Sequence, residues 1–150
     1  MRRTFAHEIR LGLPVDRAFP LFTPKGEEAW VPGWEPDYVS PADGTTEEEM
    51  VFVTRGHETT YWTCLKWEPE AWHARYLRLT PESRVAFVDV RCRPDGVDHT
   101  VVHVAYTFLP LGGPGHGHIE AISAGSFAES IDGWADLIHA HTGREAMPAA

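Results

Sequence analysis

The sequence predicts an α+β domain: a curved, seven-stranded antiparallel sheet with two short helices after its first strand and a long C-terminal helix packed across it. Three observations predict this. Turn residues punctuate the chain from 37 to 109 at short intervals, and the runs between them are rich in Val, Thr, Tyr and Trp. The only helical signals before residue 110 lie between 14 and 30. Beyond Pro114 no proline occurs until after Thr142, and apolar residues recur at helical spacing.

The first strand covers residues 4–13, with Phe5, His7, Ile9 and Leu11 on one face and Glu8 and Arg10 on the other. Pro14 ends it and can open a helix over 15–22, which Pro20 bends by removing a backbone donor. Thr23 and Pro24 read as N-cap and first helical residue of a second short helix through Glu27, Glu28 and Trp30. Six more strands follow over 37–40, 50–55, 57–67, 72–80, 83–93 and 97–109, and Pro94-Asp95-Gly96 marks a hairpin. In the last strand Val102, Val104, Tyr106 and Phe108 should face inward. Alternation alone leaves the inward face of 72–80 open: Trp72, Ala74, Tyr76 and Arg78, or His73, Arg75, Leu77 and Leu79.

A single helix is expected over 114–143, with Gly143 as its C-terminal glycine. At about 28 residues it would span roughly 40 Å, so the sheet must curl around it. Advancing 100° per residue gathers Ile119, Ile122, Phe127, Ile131, Trp134, Leu137 and Ile138 in one arc, opposite Asp132, Asp136 and Glu129. At the centre of that arc the first half carries Ser123, Ser126 and Ser130, with Glu120 at its edge. Residues 1–143 form a single domain, and 144–150 are expected to be a frayed tail.

The net charge of −9 argues against nucleic acid or an acidic membrane surface as partner. No apolar run suggests membrane insertion, and the first residues lack the apolar core of a signal peptide. Cys64 and Cys92 read as buried free thiols in a reducing cytoplasm. The nine histidines show no helical ligand spacing, so no metal is expected. There is no nucleophile elbow and no phosphate loop, and no cofactor is expected.

The order of elements resembles the helix-grip fold of the START/SRPBCC superfamily, which includes polyketide cyclase/dehydratase-like proteins. Locally the resemblance rests on His7-Glu-Ile-Arg-Leu-Gly-Leu-Pro-Val-Asp-Arg-Ala-Phe19, on Thr59-Thr-Tyr-Trp62 with Tyr76-Leu-Arg-Leu-Thr-Pro81, on Thr100-Val-Val-His-Val-Ala-Tyr106, and on Trp134. It implies a hydrophobic cavity between sheet and C-terminal helix, and it turns Tyr76 and Arg78 inward beside Trp62 and Cys64. The expected ligand-binding lining is Phe52, Trp62, Tyr76, Val104, Tyr106, Ile119, Ser123 and Phe127, with Arg78 and Glu120 as polar anchors. Trp30 and Trp34 either form its rim or pack the helix pair onto the core. The serines either bond back to the preceding turn or face a partly solvated cavity. The resemblance carries no catalytic motif. Binding of a small apolar or aromatic ligand is the leading reading. The rivals are an aromatase/cyclase- or isomerase-like enzyme, with Glu120, His57 or His7 moving protons, and a chaperone-activator-like interaction module. Oligomeric state stays open.

Overall fold

The computed structural model describes the backbone of residues 1–146 and the side chains of residues 1–143. Seven antiparallel strands form one sheet: β1 (Arg3–Leu11), β2 (Asp37–Ser40), β3 (Val51–Arg55), β4 (Thr59–Glu68), β5 (His73–Thr80), β6 (Arg84–Pro94) and β7 (Thr100–Pro110). Their spatial order is β1-β7-β6-β5-β4-β3-β2, so every strand from β2 to β7 lies beside its sequence neighbour and β1 closes on β7. After β1 come α1 (Val15–Ala18), a 3₁₀ turn (Phe19–Phe22) and α2 (Pro24–Glu27); after β7 come α3 (Gly113–Glu120) and α4 (Ala124–Ala146).

The bend at Pro20 takes the form of that 3₁₀ turn. Thr23 caps α2 as expected: its hydroxyl accepts the Gly26 N–H at 2.9 Å and donates to the Pro20 carbonyl at 2.7 Å.

Strand register lays side chains out in rows across the concave face. Phe52, Trp62, Arg78, Ala86 and Phe108 are successive partners from β3 to β7. Cys64, Tyr76, Val88, Tyr106 and Phe5 form the next row, from β4 to β1. On this face β6 contributes buried Ala86, Val88, Val90 and Cys92, with Arg84 at its start. Small side chains in the middle strand leave a hollow between bulkier neighbours. α4 packs along β1, where Ile131 and Ile138 are buried in one cluster with Ile9, Leu11 and Val102.

Two expectations about the C-terminal helix need correction. It is two helices, broken at residues 121–123. Ser123 accepts the Ser126 N–H and Ser126 Oγ accepts the Ser123 N–H, each at 3.0 Å, a reciprocal box that starts a new helix. The break also leaves Ile119 and Ile122 near the phase of the later arc, which is why a helical wheel passes over it. Nor does Gly143 end the helix, since α4 runs on to Ala146; one interior glycine costs only about 1 kcal/mol and need not stop a helix. Within the expected tail, residues 144–146 therefore continue α4, and 147–150 lie outside the described residues.

Candidate functional site

A hollow opens between β3–β5 and the segment from α2 through Trp34. It has a volume of about 370 Å³, within the range of small-molecule sites. It is lined by the aromatic residues Phe22, Trp30, Trp34, Trp62, Tyr76, Tyr106 and Trp134, by Val88 and Val90, and by polar Thr54, His57 and Thr60. The rings are held by their polar atoms. Trp30 Nε1 donates to the Leu21 carbonyl and Trp34 Nε1 to the Pro24 carbonyl, both at 2.8 Å. Tyr76 donates its hydroxyl proton to the Phe22 carbonyl at 3.2 Å, and Trp62 Nε1 donates to Thr54 Oγ1 at 3.0 Å. With these tips engaged, faces rather than polar edges are left for a guest.

Four charged side chains line the cavity: Arg55 and Glu58 are exposed, whereas Arg78 and Glu27 are half-buried. Arg78, opposite Trp62 in the register, lies with its guanidinium carbon 4.8 Å from the Trp62 ring centre. It has no carboxylate within ion-pair distance among the described residues; the nearby Glu58 is taken by Arg84 in a two-pronged pair at 2.8 and 2.9 Å. Glu27 is the last residue of α2. Burial pushes its carboxyl up to about 8, and the Arg78 charge holds it below what burial alone would give. The residue is half-buried, with the cavity as its surroundings. Burial likewise raises Tyr106 to about 12, again moderated by Arg78, and raises Tyr76.

The position of Glu27 follows from its neighbour. A Cβ on Gly26 would sit 1.9 Å from the Pro20 carbonyl oxygen, so α2 lies against the preceding turn with no room for a side chain. This contact, with the Thr23 cap, directs α2 and aims Glu27 at the sheet.

Of the residues singled out from sequence, Trp30, Trp34, Trp62, Tyr76, Arg78 and Tyr106 meet around this cavity. Phe52 stacks on Trp62 at 5.4 Å in a crevice beside it. Phe127 lines a second hollow of about 260 Å³, between β7 and the start of α4, with Ser126, Ser130 and His118. Tyr106 and Trp134 border both hollows. Val104 and Ile119 are fully buried core residues. Glu120 and Ser123 line neither of these two hollows. With Ile119 seated against Ala86 and Phe108, the next residue is turned by about 100° and lies exposed. Ser123 is exposed and used as a cap, and Ser130 bonds back to the Ser126 carbonyl at 3.1 Å. The carboxyl facing Arg78 is thus that of Glu27, which sequence reasoning passed over; its only local signal was a glycine inside a four-residue helix.

His57 stands at the cavity mouth, whereas His7 bonds Asp132 of α4 at 2.7 Å on the outside. Both cysteines are buried free thiols, pushed up by burial to about 11 for Cys64 and about 12 for Cys92. Among the described residues no cluster of three or more His, Cys, Asp or Glu could hold a metal ion, and no helix is long and apolar enough to cross a membrane.

No protein-family model and no curated protein matches the chain. Solved structures do. A norcoclaurine synthase from Thalictrum flavum, in complex with dopamine and hydroxybenzaldehyde, is similar over 99% of this chain and 90% of its own, at 11% identity and TM-score 0.66. A hypothetical protein from Helicobacter pylori reaches TM-score 0.73 at 9% identity, over 93% of this chain and 87% of its own. The Zhui aromatase/cyclase from a Streptomyces species matches over 96% and 86%, at 14% identity and TM-score 0.58. The fold is the helix-grip fold of START/SRPBCC-type proteins.

Proposed function

We propose that this protein binds a small hydrophobic or aromatic molecule in the cavity between the sheet and its helical cover. The observation that carries this reading is a hollow of about 370 Å³ lined by seven aromatic residues, of which Trp30, Trp34, Trp62 and Tyr76 have their polar atoms already engaged. Such a surface gains by stacking and by excluding water, while its two half-buried charged residues fix orientation. The Thalictrum synthase, a protein of the same fold, carries two aromatic molecules, which supports a guest of that kind here. Buried free thiols fit a reducing, cytoplasmic setting.

The test is native mass spectrometry of protein purified from its own host. A retained small molecule is expected, released on denaturation; an empty cavity at every concentration of candidate aromatics would end this reading. Replacing Arg78 with Met should leave the fold intact and weaken binding of the identified molecule at least tenfold.

A second reading has one observation of its own. A carboxyl titrating near neutrality inside an apolar cavity suits general acid–base chemistry, and Glu27 is such a group. An aromatase/cyclase- or isomerase-like reaction would then use Glu27 for proton transfer and Arg78 to hold developing negative charge. Turnover of an aromatic polyketide substrate, abolished in Glu27→Gln and unchanged in Glu120→Gln, is the expected result under that reading.

A further inference from the structure

Resting on the binding reading, we propose that the guest is an aromatic carboxylic acid, held as its anion on the Arg78 guanidinium, with the Glu27 carboxyl facing it across the cavity.

The case begins with unmatched charge. Arg78 carries five N–H donors and a fixed positive charge. Its guanidinium lies over the Trp62 face and hydrogen-bonds the Tyr106 hydroxyl, which leaves its charge without a carboxylate partner among the described residues. Glu58, the other carboxylate near it, is bound by both prongs of Arg84. The two phenols beside it, Tyr76 and Tyr106, are held neutral by burial and cannot supply an anion. With Arg55 at the exposed mouth already paired to Asp37, one free guanidinium charge matches one negative charge, a carboxylate rather than a phosphate dianion. The Trp62 ring against the guanidinium places the aromatic wall where the body of such an acid would continue.

Glu27 makes the choice conditional on pH. The groups facing it are Arg78 and Tyr76 from β5, Tyr106 from β7 and Tyr38 from β2, while Arg55, His57 and Glu58 stand at the mouth from the β3–β4 turn. Below about 8 its carboxyl keeps its proton, and Arg78 gives the cavity a net positive charge. Above that value the ionised carboxylate neutralises the site and repels an incoming anion. Affinity for an acid ionised throughout should therefore be highest near neutrality and fall about tenfold between pH 7 and 9.

The experiment titrates the protein with 2-naphthoate and, separately, with the uncharged 2-naphthamide, read by calorimetry and by quenching of the cavity tryptophans. The expected result is naphthoate binding at least tenfold tighter than the amide at pH 7. Arg78→Met should remove that preference while still binding the amide, which shows its cavity intact. Glu27→Gln should keep the preference and lose the decline toward pH 9. Equal binding of acid and amide overturns the anion proposal and leaves the cavity reading standing. Binding of neither probe overturns both.

Discussion

Along β1 and β7, the inward side chains meet a helix that fits them. Leu11, Val102 and Ile138 are 0% exposed and lie in one buried cluster with Ile9. Along β3, β4 and β5 the same alternation brings Phe52, Trp62 and Tyr76 inward, but their cover is the irregular stretch from α2 to Trp34. That cover is tied down at its edges by indole and hydroxyl hydrogen bonds and leaves the centre unfilled. The difference lies less in the strands than in what closes over them. Branched aliphatic residues on a regular helix interlock. Large flat rings propped on backbone carbonyls enclose space.

The strongest test of this contrast removes side-chain volume from the filled end. Ile138→Ala should cost about 2–5 kcal/mol, because the enclosed site cannot collapse around the missing atoms. Denaturant midpoints measure it, and affinity for any cavity ligand should barely change. A loss below 1 kcal/mol would mean that this end is also loosely packed.

Next in size is Gly26→Ala, at the root of the cavity cover. The new methyl would overlap the Pro20 carbonyl, so α2 must move, at about 1–3 kcal/mol. Unlike the core substitution, this one should also shift Glu27 and weaken ligand binding. Unchanged affinity would separate Glu27 from the packing of α2.

The contrast also marks what the sequence could convey. Strand faces were legible because period-two alternation survives wherever one side of the sheet is buried, as in Phe5, His7, Ile9 and Leu11. On β5 alternation was silent, because Arg78 sits on the buried side and Leu77 and Leu79 on the outer one. Glu27 was hidden for a different reason. A four-residue helix has no periodicity to read, and Lys25-Gly-Glu-Glu28 looks like a solvated turn until the Gly26 contact is known. For the serines the sequence leaves two alternatives open, and both have a part: Ser123 and Ser126 form a helix start and Ser130 bonds back to the preceding turn, while Ser126 and Ser130 also line the second hollow.

A smaller effect separates the two ends through pH. Glu27 titrates at about 8 in the folded chain against 4.5 for the ordinary carboxyl. Below pH 4.5 both folded and unfolded chains hold the proton, and no stability is lost. As pH rises from 4.5 to 8 only the folded chain keeps it, so stability declines, and above 8 the full penalty is felt. Glu27→Gln should therefore stabilise the protein at pH 9 by roughly 1–3 kcal/mol, allowing for screening by cavity water, and leave it unchanged at pH 4. Melting temperatures of both proteins across that range supply the measurement. Parallel curves would put the carboxyl in contact with bulk solvent.

The smallest predicted effect concerns the joint between α3 and α4, where the filled end gives way to the second hollow. Ser123 accepts the Ser126 N–H there, so Ser123→Ala leaves one first-turn donor unmatched and should cost about 1 kcal/mol. Ser126→Ala removes the reciprocal acceptor for the Ser123 N–H, and the two losses should not add, since each variant dismantles the same box. Ser130 is exposed and merely returns a bond to the Ser126 carbonyl, so its alanine variant should be neutral within a few tenths of a kcal/mol. If instead all three variants destabilise alike, the serines act through packing against β7 rather than through the cap. The break at residues 121–123 would then owe its position to the seating of Ile119 against Ala86 and Phe108, with the serine box following from it.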